Sequence, residues 1–198
     1  MEIVYSNEIH LDKELNKLDL FAIEFTSILN KLNIKYVLIS GYVAILFGRA
    51  RNSEDIDIFV DNLDLNKFGL LWNELNAKFG CINCNDLKEA FSNYFSVGES
   101  LRFSKNGNSV PNFEMKIVKS SLDRWSLTNR KKIILNGNIM YISPIELQVP
   151  FKIFLGSDKD IEDAKHLFIL FKEKLDHNLM NIFVRKLKIE ELFNKYLK

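Results

Sequence analysis

The sequence predicts an α+β fold: a mixed sheet flanked by helices over the first two-thirds, and helices alone over the last third. Three observations carry this. Up to residue 142, short apolar runs are interleaved with stretches whose apolar residues recur at helical spacing. Asn136-Gly137 stands between two apolar runs, the residue pair a tight hairpin turn prefers. Beyond residue 142 only helical spacing remains, and no Pro/Gly-rich linker precedes it. The expected division is a core over 1–142 and a helical subdomain over 143–198 docked against it.

Leu15, Leu18, Phe21, Ala22, Phe25, Ile28, Leu29 and Leu32 recur every three or four residues, so 11–32 reads as a helix stopped by Asn33. Residues 36–39 form a short buried strand. Ser40-Gly41 breaks it, 42–47 makes a short helix ending at Gly48, and 49–54 is polar loop. Ile56, Ile58 and Val60 alternate with Asp55 and Asp57 in a second strand. A helix over 65–79 closes at Gly80, and a short one covers 86–95. Strands over 101–104 and 113–118 flank Asn106-Gly107. A helix over 121–130 and the hairpin strands 132–135 and 139–142 follow. Ser143-Pro144-Ile145-Glu146 combines a capping serine, a proline suited to the first helical position and a glutamate three residues on. That predicts a capping box and a helix to about residue 155. Gly156-Ser157-Asp158 interrupts, and helices over 159–175 and 179–197 complete the chain.

The 198 residues are 47% hydrophobic and 27% charged, which are globular values and argue against disorder. The net charge of +1 excludes neither nucleic acid nor an acidic substrate, because a local patch hides in a balanced total. No apolar run approaches the roughly 20 residues of a membrane span, and residues 1–10 lack a signal-peptide layout, so a cytoplasmic location is expected. Cys81 and Cys84 have no matching second pair and His10, His166 and His177 are scattered, so the cysteines read as ordinary thiols.

Chemistry enters at Asp55-Ile56-Asp57. On a strand, residues two apart share a face, so both carboxylates point together while Ile56 and Ile58 turn to the core. Adjacent carboxylates repel, and a cation with a preference for hard oxygen ligands, Mg2+ or Mn2+, relieves the repulsion. Alone the pair reads more readily as a solvated strand edge. Three neighbours add weight. Ser40-Gly41 opens a helix after a strand, where small residues let backbone approach a phosphate. Arg51, with Ser53 beside it, precedes the acids and carries a guanidinium suited to phosphate. Glu114 shares the polar face of its strand with Lys116 and would complete a two-metal carboxylate set.

The block from Ser40 to Gly48, followed by Arg51-Asn52-Ser53-Glu54-Asp55-Ile56-Asp57-Ile58, resembles the signature of the nucleotidyltransferase superfamily with the DNA polymerase beta-like fold. Within it the chain is most similar to stand-alone enzymes related to abortive-infection toxins. The later Lys152 and Lys159-Asp160-Ile161-Glu162-Asp163 match the lysine and the Lys-Asp-x-x-Asp element of those proteins. The resemblance covers most of 36–165. It implies metal binding by Asp55, Asp57 and Glu114, nucleotide binding by Ser40, Gly41, Arg51, Ser53 and Lys152, and a supporting or base-like role for Asp160. Ser40 stands where a glycine is usual, Phe47 where a histidine is common, Ser53 for threonine and Glu114 for aspartate.

The expected activity is metal-dependent transfer of a nucleoside monophosphate from a nucleoside triphosphate to a hydroxyl of an RNA end such as tRNA, a protein or a small molecule. A toxin or defence role, with an antitoxin partner, goes with it. Lys152, read as an exposed and mobile charge of little weight in folding, and Asp160 are expected to close the cleft opposite the strands. A second reading is a catalytically weak or inactive module that binds nucleotide or a partner. A third uses Arg185, Lys186 and Lys188 with Phe183 to bind RNA; a solvated amphipathic helix accounts for them better.

Overall fold

The computed structural model describes residues 1–5 and 8–197. Its strands are β1 (Glu2–Tyr5), β2 (Ile9–Asp12), β3 (Tyr36–Leu38), β4 (Asp55–Val60), β5 (Phe79–Cys81), β6 (Leu101–Lys105), β7 (Asn112–Ile117), β8 (Lys131–Leu135) and β9 (Asn138–Ile142). They form one mixed sheet in the order β1-β2-β8-β9-β3-β4-β7-β6-β5. The helices are α1 (Lys17–Lys31), α2 (Ser40–Leu46), α3 (Leu65–Asn76), α4 (Leu87–Glu89) running into a π-helical turn (Ala90–Phe95), α5 (Ser121–Thr128), α6 (Ile145–Leu155), α7 (Asp158–Phe171), α8 (His177–Leu187) and α9 (Glu190–Leu197). The α+β architecture expected from the sequence is the one observed.

Alternation along the central strands decides what each face does. In β4, Ile56, Ile58 and Val60 are buried and Asp55, Asp57 and Phe59 half-buried. In β7, Phe113 and Met115 are buried and Glu114 and Lys116 half-buried. The buried set joins an aromatic layer under α1, where Phe25 stacks on Phe113 at 4.0 Å and meets Phe79 edge-on at 5.3 Å. Such pairs add about 0.5–1.5 kcal/mol each beyond the area they bury. The opposite face carries the acids. One continuous apolar cluster runs from Ile9 through Phe47 and Phe171 to Phe193, so α6–α9 share the core of the strands. No helix among the described residues is long and apolar enough to cross a membrane.

The structure departs from expectation in four places. The amino-terminal helix starts at Lys17; Ile9 and Leu11 are instead the buried positions of β2, and Asn16 and Asp19 cap each other's backbone in a capping box. Phe79-Gly80-Cys81 is a strand paired with β6, because α3 ends at Asn76 and Phe79 is pulled into the aromatic layer. The Ser143–Glu146 capping box does not form. Pro144 is the N-cap residue, the Ser143 N–H donates to the Leu38 carbonyl at 2.9 Å, and Glu146 faces the Asp176 N–H at 3.4 Å. The last predicted helix is two, broken where Lys188 takes a φ of 55°.

Candidate active site

β4 and β7 run parallel, with Asp57 opposite Glu114 and Phe59 opposite Lys116. Asp55, Asp57 and Glu114 therefore emerge on one face of the sheet. Ser53 holds the strand's start, its hydroxyl donating to the Asp55 carbonyl at 2.9 Å and to Asp55 Oδ1 at 3.4 Å. Burial pushes the Asp57 carboxyl up, and the negative charges of Asp55 and Glu114 push it further, against Lys116 and the Ser40 hydroxyl. Burial also raises Glu114, but the hydrogen bond and charge of Lys116, with Ser100 and Arg102, outweigh it and hold this carboxyl below its usual range. Lys116 donates to Glu114 Oε1 at 2.7 Å and Arg102 lies 3.6 Å from Oε2.

An oxygen-only donor set of this kind suits Mg2+ or Mn2+, and a bound cation would relieve the crowding on Asp57. Glu114, however, is turned toward Lys116 and Arg102. As arranged, no group of three or more His, Cys, Asp or Glu side chains among the described residues stands close enough to hold an ion. The acids fit a divalent cation by chemistry and by face; Glu114 has to leave its cations to join in.

A second cluster lies where α6 and α7 meet the loop before β4. Asp163, fully buried, accepts from Arg51 Nη1 at 2.5 Å and from Lys152 Nζ at 2.8 Å through the same oxygen. Its other oxygen, 3.7 Å from Arg49 Nε, has no hydrogen-bond partner among the described residues. Lys152 also reaches Asp160 Oδ1 at 3.3 Å. Asp160 sits three residues after Ser157, the residue that caps α7, and takes the Ser157 hydroxyl at 2.6 Å. Lys152 was expected to be exposed; it is 1% exposed, because the buried carboxylate of Asp163 draws it into the interior. Arg51 lies across Gly41, where a built Cβ would come 3.0 Å from the guanidinium. Ser40 opens α2 with a φ of 62°, a left-handed conformation in which glycine is at ease and serine is not.

A cavity of about 300 Å³ opens beside Asp57, between the sheet face and helices α5 and α6. Ser40, Asp57, Lys116 and Lys152 line it together with Ile39, Phe59, Leu122, Ser126, Leu147 and Gln148. Glu114 lines an adjoining hollow that shares Phe59, Lys116 and Asp123 with the first. Of the sequence-predicted residues, Ser40, Asp57 and Lys152 meet in the cavity and Glu114 next to it. Asp55 shares their face, Arg51 packs against Gly41 of α2, and Asp160 stays at the start of α7, outside the cavity lining.

Sequence reasoning missed Asp163 as a hub and Lys116 as the partner of Glu114. Asp163 had a signal: it lies one turn beyond Asp160, on the buried side that also carries Ile161 and Ala164. Phe183, named with the basic residues of the RNA-binding reading, is buried edge-on against Trp125 at 4.6 Å. Cys81 and Cys84 are free thiols.

No protein-family model matches this sequence, and no curated protein does. Solved structures do resemble it. One is an antigenic nucleotidyltransferase-like protein from Paracoccidioides brasiliensis, at a TM-score of 0.51 and 18% identity over 93% of this chain and 96% of that one. Another is ANT(2″)-Ia in complex with adenylyl-2″-tobramycin, at a TM-score of 0.56 and 11% identity over 86% and 99%. The chain has the nucleotidyltransferase fold.

Proposed function

We propose that this chain transfers a nucleoside monophosphate from a nucleoside triphosphate to a hydroxyl acceptor. The observation that carries the reading is the row of Asp57 and Glu114 in register on one sheet face, with Asp55 beside them, where Asp57 lines a cavity with Lys116 and Lys152 and Glu114 lines the hollow next to it. Asp55, Asp57 and Glu114 would hold Mg2+ or Mn2+, which when bound polarises phosphoryl oxygens and eases deprotonation of the acceptor. Lys116 offsets triphosphate charge, Lys152 would do so only by leaving Asp163 and Asp160, and the Ser40 turn lets backbone come close to it. Arg51, pinned to Asp163, adds positive potential from behind Gly41 without touching the cavity. Asp160 holds Lys152 from the side of α7. The acceptor belongs to the hydroxyl-bearing class: an RNA end, a protein or a small molecule. ANT(2″)-Ia, seen with a nucleotidylated tobramycin, supports the small molecule. A toxin role with an antitoxin partner rests on the sequence resemblance alone.

One observation favours the second reading, a catalytically weak or inactive nucleotide-binding module: both oxygens of Glu114 face cations of the protein itself. Labelled nucleoside triphosphates with Mg2+ or Mn2+, offered to total RNA, cell extract and small polyols, separate the two. Transfer of label by the wild type and its loss in Asp57→Asn is the expected result. Triphosphate binding without any transfer would leave the module.

A further inference from the structure

On the acid face one row crosses three strands. β7 pairs with β4 on one side and β6 on the other, and the registers set Asp57, Glu114 and Arg102 side by side. Lys116, two residues beyond Glu114 on β7, projects from the same face. Glu114 is therefore flanked by two cations, Lys116 at 2.7 Å from Oε1 and Arg102 at 3.6 Å from Oε2. Lys116 serves Asp57 as well, opposing the burial and the acidic neighbours that push that carboxyl up. One ammonium thus does for both acids what a divalent ion would do: it offsets their repulsion. Unlike Lys152, it is not locked in. The side chains of Lys116 and Arg102 are 39% and 50% exposed, and among the described residues neither lies within ion-pair distance of any other carboxylate. Pairs this exposed contribute little and are readily exchanged. Lys116 also lines both hollows, the one that Asp57 lines and the one that Glu114 lines. Its flexible four-carbon stem can carry the ammonium from one to the other.

We propose that Lys116 is a tethered stand-in for the metal and that a triphosphate is what removes it. This rests on the nucleotidyl-transfer reading and adds how the site is loaded. Without nucleotide, Lys116 and Arg102 keep Glu114 away from a divalent ion. A triphosphate outbids a single carboxylate in charge and draws the ammonium of Lys116 into the cavity beside Asp57. Glu114 is then free to join Asp57 in holding the ion. Metal and triphosphate favour each other through this exchange, in addition to any direct bond between ion and phosphate, and the coupling runs equally in both directions.

The test is a binding cycle on the whole chain, in wild type and in Lys116→Met. Calorimetry measures the α,β-methylene analogues of the four nucleoside triphosphates, which cannot transfer, with and without Mn2+. The factor by which Mn2+ tightens the analogue is the coupling. The direct bond between ion and phosphate is common to both proteins and cancels in the comparison. Wild type should show a coupling about tenfold or more above that of Lys116→Met. Lys119→Met removes the same charge from the hollow that Glu114 lines, but Lys119 faces Glu99 at 3.8 Å, so this variant should keep the wild-type coupling. In metal-free solution, the bound analogue should also shift the side-chain nitrogen resonance of Lys116, assigned by its absence from Lys116→Met. Equal coupling in wild type and Lys116→Met, an equal drop in Lys119→Met, or an unmoved Lys116 resonance overturns the exchange and leaves nucleotidyl transfer standing. If no analogue binds with or without Mn2+, both readings fall. Thermal melts check the fold, and should Lys116→Met not fold, Lys116→Gln takes its place with the same expected loss of coupling.

Discussion

Lys152 donates to Asp163 across 2.8 Å, and both side chains are closed off from solvent. An ion pair in such a place is a weak source of net stability but a costly one to halve, because the survivor is left charged in a poor solvent. Lys152→Met keeps the bulk of the chain and removes the cation. We expect it to destabilise the fold by about 3 kcal/mol in urea unfolding. A loss below about 1 kcal/mol would mean that the two nearby arginines satisfy Asp163 without the lysine.

Gly41 and Arg51 are coupled by contact. A methyl group at Gly41 would press on the guanidinium at 3.0 to 3.3 Å. The far end of an arginine can move, but here moving it loosens the bond to Asp163. Gly41→Ala should cost about 1 kcal/mol in the wild type and close to nothing in an Arg51→Ala background, a coupling that a double-mutant cycle reads directly. Additive losses in the two backgrounds would show that the methyl meets some other obstacle.

Ser40 holds a φ of 62°. Ser40→Gly and Ser40→Ala both delete the hydroxyl that faces Asp57, and they differ in how readily they take up this backbone. Glycine should be the more stable of the two by about 1 kcal/mol. Equal melting temperatures would mean that the left-handed turn relaxes once the side chain is gone.

Glu114 is held by Lys116 at 2.7 Å. Releasing it should strengthen any divalent cation at the acids. Mn2+ titration followed by electron paramagnetic resonance is expected to show tighter binding in Lys116→Ala than in wild type, and little or none in Asp57→Asn. Weaker binding in Lys116→Ala would place the ion away from Glu114.

The acid face was legible because the period of a strand is local. Asp55, Asp57 and Glu114 needed only alternation to be set on polar faces, and the register of β4 with β7 did the rest. Asp163 was not legible in that way. Its importance comes from where α7 lands, with Arg51 separated from it by more than a hundred residues of chain. The same distance problem hid the burial of Lys152, since a lysine next to exposed Phe151 and Phe154 reads as surface. At the amino terminus, Leu11 and Leu15 stand four apart and mimic a helical turn. The strand that contains Leu11 is specified by its pairing with β8, which no local pattern announces.

That pairing bears on how the protein is made. β2 lies between β1 and β8, so its inner neighbour is residues 133–135. During synthesis the β1–β2 pair leaves the ribosome long before that neighbour exists, and two strands alone are marginal in water. Whatever settles behind them, β2 gains its inner neighbour only when the chain returns to it at β8. Contacts of such separation form late and slowly, and until they do the apolar side of Ile9 and Leu11 stays open to other chains. Until β8 is made, the nascent chain therefore carries at residues 9–12 a strand whose inner side has no partner.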